Sequence, residues 1–289
     1  MLILKKVGLL VGSLRQGSYS KQLAKNIALL FPVEVIPKVI GINDLPLFNE
    51  DLESKEVNSW NRFREQVNDV DGLVFVTPEY NRSVPGCLKN ALDIGSRSEK
   101  KIFAGKPAIV VSCSVGKMGG FGASQHLKQI VLSLGMELVQ PAEIYLGSVQ
   151  TLFNDSGFLN NDFVNNLLNN AVTGLLKLIN PDLVFGSCEI SIQDEQLNKI
   201  QKFDFQNDRL VALNKDEETI CEARYQITGC VLTINRISTY PSFVGKGNAS
   251  KVLLKLVMLA TLFDLVIEPN CSFVQSFFAD YAELKALTI

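Results

Sequence analysis

The sequence predicts an α/β protein of two domains, a parallel sheet covered on both faces by helices and then a smaller α+β unit. Three observations carry this reading. A length of 289 residues exceeds what one average domain needs. Up to Ile144, short apolar runs alternate with amphipathic stretches, whereas beyond about residue 198 closely spaced strand patterns take over. With 47% hydrophobic and 20% charged residues, both parts have the composition of packed, ordered domains.

Taken in order, Val7–Val11 is an apolar run followed by the polar loop GSLRQGSYS, then by KQLAKNIALLF, whose Leu23, Ala24, Ile27, Ala28 and Phe31 recur at helical spacing. VEVIPKVIGI reads as a strand, LPLFNEDL as a loop and Trp60–Val70 as an amphipathic helix. GLVFVTPEYNRSVPG gives strand and loop, and LKNALDIGSR gives helix. KPAIVVSCSVGKMGG gives strand and glycine-rich loop, ASQHLKQIVLSLG gives helix, and Met136–Ile144 gives a fifth strand. Strands separated by helices imply parallel neighbours joined by crossovers. An Asn-rich tract with Phe163, Val164, Leu168, Val172 and Leu175 at helical spacing predicts one more covering helix, stopped at Asn180-Pro181. The boundary is expected within residues 181–195, separating domains 1–182 and 190–289.

After the boundary FDFQ, RLVALNK and ICEARYQITGCVLTINRIST suggest an antiparallel meander. A glycine-containing loop then opens an apolar helix, LVIEPN follows as a strand, and CSFVQSFFADYAELKAL reads as a helix.

Composition narrows the function classes. The 28 Lys+Arg against 30 Asp+Glu leave a net charge of −2, without the basic excess that a phosphate backbone demands, so no nucleic-acid partner is expected. No membrane partner is expected either, since Val252–Ile267 is broken by Lys255 and Asp264 and falls short of a span. Cys87, Cys113, Cys188, Cys221, Cys230 and Cys271 lie too far apart for a zinc or redox pair, which suits reduced thiols and a cytoplasmic location. His126 lacks metal-ligating neighbours and reads as a surface or oligomer-contact residue, and no metal is expected.

In an open parallel sheet, ligands bind at the carboxyl ends of the strands. The loop after the first strand gathers Ser13, Arg15, Ser18 and Ser20 before a helix N-terminus, where backbone N–H groups and the dipole favour an anion. It reads either as a phosphate cup or as serines capping a helix. It carries neither G-x-G-x-x-G nor G-x-x-x-x-G-K-[ST], so a monophosphate suits it better than a pyrophosphate. TPEYNRSVPG offers backbone groups for a planar heterocycle's edge, and SCSVGKMGG offers hydroxyls and close backbone approach.

GSLRQGSYSKQLA, TPEYNRSVPGCLKNALDIGSR and GKPAIVVSCSVGKMGGFGASQHLKQIVLSLG, in this order over about the first 150 residues, resemble the NADPH-dependent FMN reductase family. That resemblance implies a flavodoxin-like, five-stranded, three-layer αβα fold with FMN as cofactor and NADPH or NADH as electron donor. It implies small acceptors such as quinones or azo dyes. Ser13, Arg15, Ser18 and Ser20 would hold the FMN phosphate, and Pro78, Glu79, Tyr80 and Asn81 would line the isoalloxazine, with Ser114 and Gly116 opposite. Ser20 stands where the family often has Asn, and Ile94 where many members have Trp. Leu45–Asp51 is similar to the family's loop that closes the flavin site across a dimer, which implies a homodimer or homotetramer. Flavin chemistry needs no protein nucleophile.

The second half, roughly residues 198–289, is similar to a small YjdJ-like GNAT-type N-acetyltransferase domain. By that likeness Val244, Gly245, Lys246, Gly247, Asn248, Ala249 and Ser250 would hold the pyrophosphate of CoA, and Cys271 would be a thiol near the acyl group of acetyl-CoA. Ser272 replaces the Pro that usually follows this cysteine, and Phe278-Ala279-Asp280-Tyr281 replaces a His-Pro string, which removes an obvious base. Two other readings stay open. In one, acyl transfer is the main activity and the flavin domain its regulator. In the other, the chain is a non-catalytic flavin-binding scaffold.

Overall fold

A computed structural model describes residues 5–180, 200–280 and 287–288. The chain divides into two compact units, Met1–Gly186 and Ser187–Ile289. The boundary expected at residues 181–195 lies outside the described residues, as do Cys188 and Tyr281.

The first unit runs β1 (Lys5–Val11), α1 (Tyr19–Leu30), β2 (Val35–Val39), α2 (Asn58–Asn68), β3 (Gly72–Thr77), α3 (Gly86–Ser96), β4 (Pro107–Cys113), α4 (Phe121–Ser133), β5 (Glu137–Leu138), β6 (Tyr145–Leu146) and α5 (Asp162–Ile179). The strands pair in parallel in the order β2-β1-β3-β4-β5, and β6 also pairs with β4. The single fifth strand expected over Met136–Ile144 is therefore corrected. Only Glu137–Leu138 of it is strand, and β6 follows just beyond it; the two pair with opposite ends of β4, Pro107↔Glu137 and Ser112↔Tyr145. Pro141 between them has no N–H to give a ladder, and the chain leaves the sheet there.

Strand residues alternate between two buried faces, as the pleat requires. Leu73, Phe75, Ala108 and Val110 point into a core with Trp60 and Phe63 of α2, Leu88 of α3 and Leu127 and Val131 of α4. The intervening positions meet the opposite layer. A side chain at Gly72 would strike Leu175 and Ile179 of α5, and Cys113 touches Ser20 of α1. All six residues of β3 are buried, so it reads in sequence as one apolar run rather than an alternation. Helix starts follow local chemistry: Ser18 caps α1, accepting Lys21 N–H, and Asn161 caps α5, accepting Val164 N–H.

In the second unit, β7 (Lys202–Phe205), β8 (Arg209–Leu213), β9 (Thr219–Thr228) and β10 (Val231–Thr239) form the expected antiparallel meander. The crossover helix α6 (Asn248–Phe263) returns the chain to β11 (Val266–Pro269), which pairs parallel to β10, and α7 (Ser272–Asp280) follows. Gly229, with φ of 61°, makes the tight turn between β9 and β10 that a side chain would strain. Leu253, Leu256, Leu259 and Ala260 bury the inner stripe of α6. No helix among the described residues is long and apolar enough to cross a membrane.

Candidate active site at the carboxyl edge of the parallel sheet

Because β1, β3 and β4 are parallel neighbours in register, with Val11↔Val76 and Thr77↔Ser112, their three following loops leave the same edge side by side. The Gly12 N–H donates to the Val76 carbonyl at 2.9 Å, tying the first loop to the second. A Cβ at Gly12 would lie 2.9 Å from Thr77 Oγ1, so the approach needs glycine.

In the first loop Ser13, Ser18 and Ser20 are buried around the start of α1. The Ser18 hydroxyl accepts the Lys21 amide at 3.3 Å, which realises the capping alternative, yet its own O–H stays available as a donor. Ser20 Oγ lies 3.3 Å from Cys113 Sγ. Exposed Arg15 donates to the Gly17 carbonyl and lies over the Tyr19 ring, 5.8 Å from its centroid. Residues 12–20 contain no acid. Hydroxyls, a guanidinium and the N-terminus of a helix of 12 residues thus form a donor set that fits a phosphate.

The second loop is a two-residue hairpin. Tyr80 and Ser83 exchange both backbone hydrogen bonds, at 3.1 and 3.0 Å, across Asn81 and Arg82. Both central residues have positive φ, 50° and 65°, as a type I′ turn demands. Ser83 Oγ is 2.9 Å from His126 Nδ1, which fixes the turn to the exposed face of α4. Tyr80 is 53% exposed, leaving an aromatic face open at the rim. The Glu79 carboxylate turns inward, accepts the Ala123 N–H at 3.1 Å and lies 3.5 Å from Arg82. It caps the N-terminus of α4, satisfying one of the amides a helix start leaves without an internal partner. Spacing along the chain gave no signal for this cap.

The third loop is shaped by backbone. Ser114 Oγ accepts the Gly116 amide at 3.0 Å, and the Ser148 amide donates to Gly116 O at 3.2 Å. Gly119 and Gly120 take φ of 61° and 78°, and a Cβ on Gly119 would come within 2.6 Å of the Tyr145 backbone. Val115 and Met118 remain exposed beside them. Two thiols lie close by. Burial pushes Cys113 up to about 11 despite the Ser20 contact, and burial also raises Cys87, so both stay protonated at neutral pH.

The Leu45–Asp51 segment is held from α3, where Asn90 accepts the Phe48 N–H at 2.7 Å and donates to Pro46 O at 3.1 Å. Trp60 stacks on Phe48, while Leu47 at the segment's tip is 78% exposed. Ile94, in place of an aromatic residue, is fully buried.

In the second unit, Gly245 and Gly247 have φ of 81° and 73°, with no atom within 4 Å of where a Cβ would stand. Val244 is exposed, and Lys246 Nζ lies 3.4 Å from Ser242 O. Asn248, Ala249 and Ser250 form the first turn of α6, whose amides have no carbonyl within the helix, and buried Asn248 donates to Phe243 O at 3.1 Å. β10 and β11 part after the Asn270 N–H bond to Ile234 O, beside a bulge between Ile234 and Arg236. Cys271 lies at this parting, just ahead of α7. Burial pushes its thiol up, but the amides of Ile237, Val274 and Phe273 and the Arg236 guanidinium outweigh that and pull it below the ordinary value.

A parallel β2-β1-β3-β4-β5 sheet with three polar loops at one edge defines the flavodoxin-like class. The chain belongs to the NADPH-dependent FMN reductase family, whose model matches residues 5–151. Residues 209–287 match the GCN5-related N-acetyl-transferase model. A quinone reductase of Pseudomonas putida is 48% identical over 156 residues, which are 53% of this chain and 84% of that protein. A 2-hydroxy-1,4-benzoquinone reductase of a Burkholderia species is 41% identical over 142 residues, 49% of this chain and 78% of that one. Among solved structures, FerB, a flavoenzyme NAD(P)H:(acceptor) oxidoreductase from Paracoccus denitrificans, is 30% identical with a TM-score of 0.57, covering 61% of this chain and 98% of its own.

Proposed function

We propose that residues 1–182 form an FMN-dependent NAD(P)H oxidoreductase domain that passes electrons to quinones, azo dyes or similar small acceptors in the cytoplasm. Residues 190–289 are then an appended acyl-CoA-binding domain. The observation that carries the first part is the acid-free donor set of the first loop, set beside two rim loops on one sheet edge. Similarity to two quinone reductases supports the choice of acceptor.

When bound, FMN supplies hydride acceptance from a nicotinamide and electron delivery to the acceptor. The chain's own residues position it. The Ser13 and Ser18 hydroxyls, the first amides of α1 and Arg15 bind the phosphate, with Ser20 behind them. Pro78, Tyr80 and Asn81 offer the second loop's edge to the ring, Ser114 and Gly116 the third loop's edge, and Glu79 braces both by capping α4. A homodimer that seats Leu47 against its partner would remove an exposed apolar residue from water.

The test is an absorption spectrum of the purified protein before and after anaerobic NADPH, followed by quinone turnover. Bleaching of the flavin band and its recovery on adding a quinone are expected. A colourless protein that takes up no FMN when supplied overturns the reading.

A second reading concerns the C-terminal domain, for which acetyl-CoA is the proposed ligand, bound at Val244–Ser250. The lowered Cys271 thiol favours an acyl acceptor at the parting of β10 and β11. Mass-detected acetyl transfer that disappears in Cys271→Ala tests it.

A further inference from the structure

Two aromatic rings and a guanidinium from separate places in the chain meet beside the first loop. The Arg15 guanidinium lies over the ring of Tyr19, the first residue of α1, 5.8 Å from its centroid. The Phe153 ring lies 6.4 Å from that of Tyr19, with an angle of 8° between their planes. Phe153 belongs to the connection between β6 and α5, and this connection is fastened along one face of α1. Tyr19, Gln22 and Asn26, three and then four residues apart, share that face. Gln22 Nε2 and Asn26 Nδ2 both donate to the Gly157 carbonyl, at 3.1 and 3.0 Å, and Asn26 Oδ1 accepts the Leu159 N–H at 2.9 Å. Phe153 and Leu159 pair as an isolated bridge, which closes the turn that carries the ring. Tyr19 is thus half-buried with a fixed aromatic neighbour, whereas Arg15 is exposed.

This arrangement gives an exposed arginine one preferred orientation. Residues 14–17 are all exposed and Gly17 has open space around it, so the tip of the loop lends a long side chain little support. Such a side chain samples many rotamers, and ordering it on a ligand costs that freedom. The aromatic face and the bond from Nη2 to the Gly17 carbonyl restrain Arg15 beforehand. Cation–π attraction acts on the face of the guanidinium, so its in-plane N–H groups stay available for a bidentate contact with a phosphate. Nε and Nη1 make no hydrogen bond among the described residues.

We propose that Tyr19 is a positioning residue which presents Arg15 to the flavin phosphate and so makes the first loop select FMN over riboflavin. The phosphate is the group by which these two flavins differ. The proposal rests on the FMN reading of this loop and adds the residue that sharpens its selectivity.

The test titrates full-length protein, freed of flavin, with FMN and with riboflavin, following the quenching of flavin fluorescence. Wild type is compared with Tyr19→Leu, Tyr19→Phe, Arg15→Ala and the pair Arg15→Ala/Tyr19→Leu. Leucine keeps apolar bulk and removes the π face, while phenylalanine keeps the face and removes the hydroxyl. Tyr19→Leu should bind FMN about threefold to fivefold more weakly than wild type, the scale of an exposed cation–π contact. It should bind riboflavin as wild type does. Tyr19→Phe should match wild type with both flavins. Once Arg15 is gone, adding Tyr19→Leu should weaken FMN no further, because residues acting through one contact are not additive. Equal FMN affinity in Tyr19→Leu and wild type, an equal loss for riboflavin, or a full second loss in the pair overturns the proposal. The equal loss for riboflavin is what a merely packing role would give. A wild type that binds FMN no better than riboflavin strikes the phosphate cup itself, whereas an FMN preference that survives Tyr19→Leu overturns the part of Tyr19 alone.

Discussion

The Glu79 carboxylate accepts the backbone N–H of Ala123 at 3.1 Å, so a residue of the second loop caps the helix that follows the third, 44 positions away in sequence. Two rim loops are thereby made one unit. The small residue between the partners is required. A Cβ on Gly122 would stand 2.7 Å from Arg82 O and 2.9 Å from Glu79 Oε2. Glu79→Ala should cost about 1–2 kcal/mol of stability, the range for losing an N-terminal cap, and should weaken FMN retention. Denaturant melts with and without flavin measure both, and an unchanged midpoint would contradict the bracing role.

Arg15→Ala should weaken FMN binding by about 1.5 kcal/mol, a little over tenfold, the low end for a hydrogen bond to a charged group because Arg15 is exposed. Flavin release followed by fluorescence reads this. Equal occupancy in wild type and variant would remove Arg15 from the phosphate cup.

Gly119→Ala faces two penalties at once, a φ of 61° and a backbone contact of 2.6 Å at Tyr145. A loss of roughly 2 kcal/mol or more is expected in equilibrium unfolding. Gly86→Ala, with nothing within 4 Å of its Cβ, is the control and should move the midpoint little.

Thiol alkylation followed against pH should show Cys271 reacting with a midpoint below that of an ordinary cysteine, because helix-start amides and Arg236 favour its thiolate. Arg236→Ala should move that midpoint upward. Cys113 should stay unlabelled until the protein unfolds, since burial holds it protonated.

Gly247→Val places a β-branched residue at a φ of 73° and should abolish CoA binding by the second unit while leaving flavin content unchanged. Calorimetry with CoA measures the first effect and the visible spectrum the second.

Most of the architecture was legible because parallel strands buried on both faces write themselves as unbroken apolar runs, as β3 does from Gly72 to Thr77. Met136–Ile144 is less legible, since Glu137, Gln140 and Glu143 interrupt it. That segment reads as one strand because it follows a helix as the earlier strands do, but Pro141 takes the chain out of the ladder, and its missing N–H is a signal present in the sequence. At the site, Ser13, Arg15, Ser18 and Ser20 were found because their chemistry is local to one loop. Ser18 turned out to serve as a cap while keeping a proton to donate. Glu79 could not be read as a cap, nor Cys271 as a thiol beside Ile237, because both depend on partners brought from distant strands and helices.

Strand β2 ends one side of the first unit's sheet, and its five residues include Pro37 and Lys38. The proline lacks a donor and the lysine brings charge, so a foreign strand would find poor purchase along that margin. Lengthening of the sheet across that margin is thereby disfavoured. That also guards the nascent polypeptide against the stacking that ends in fibrils.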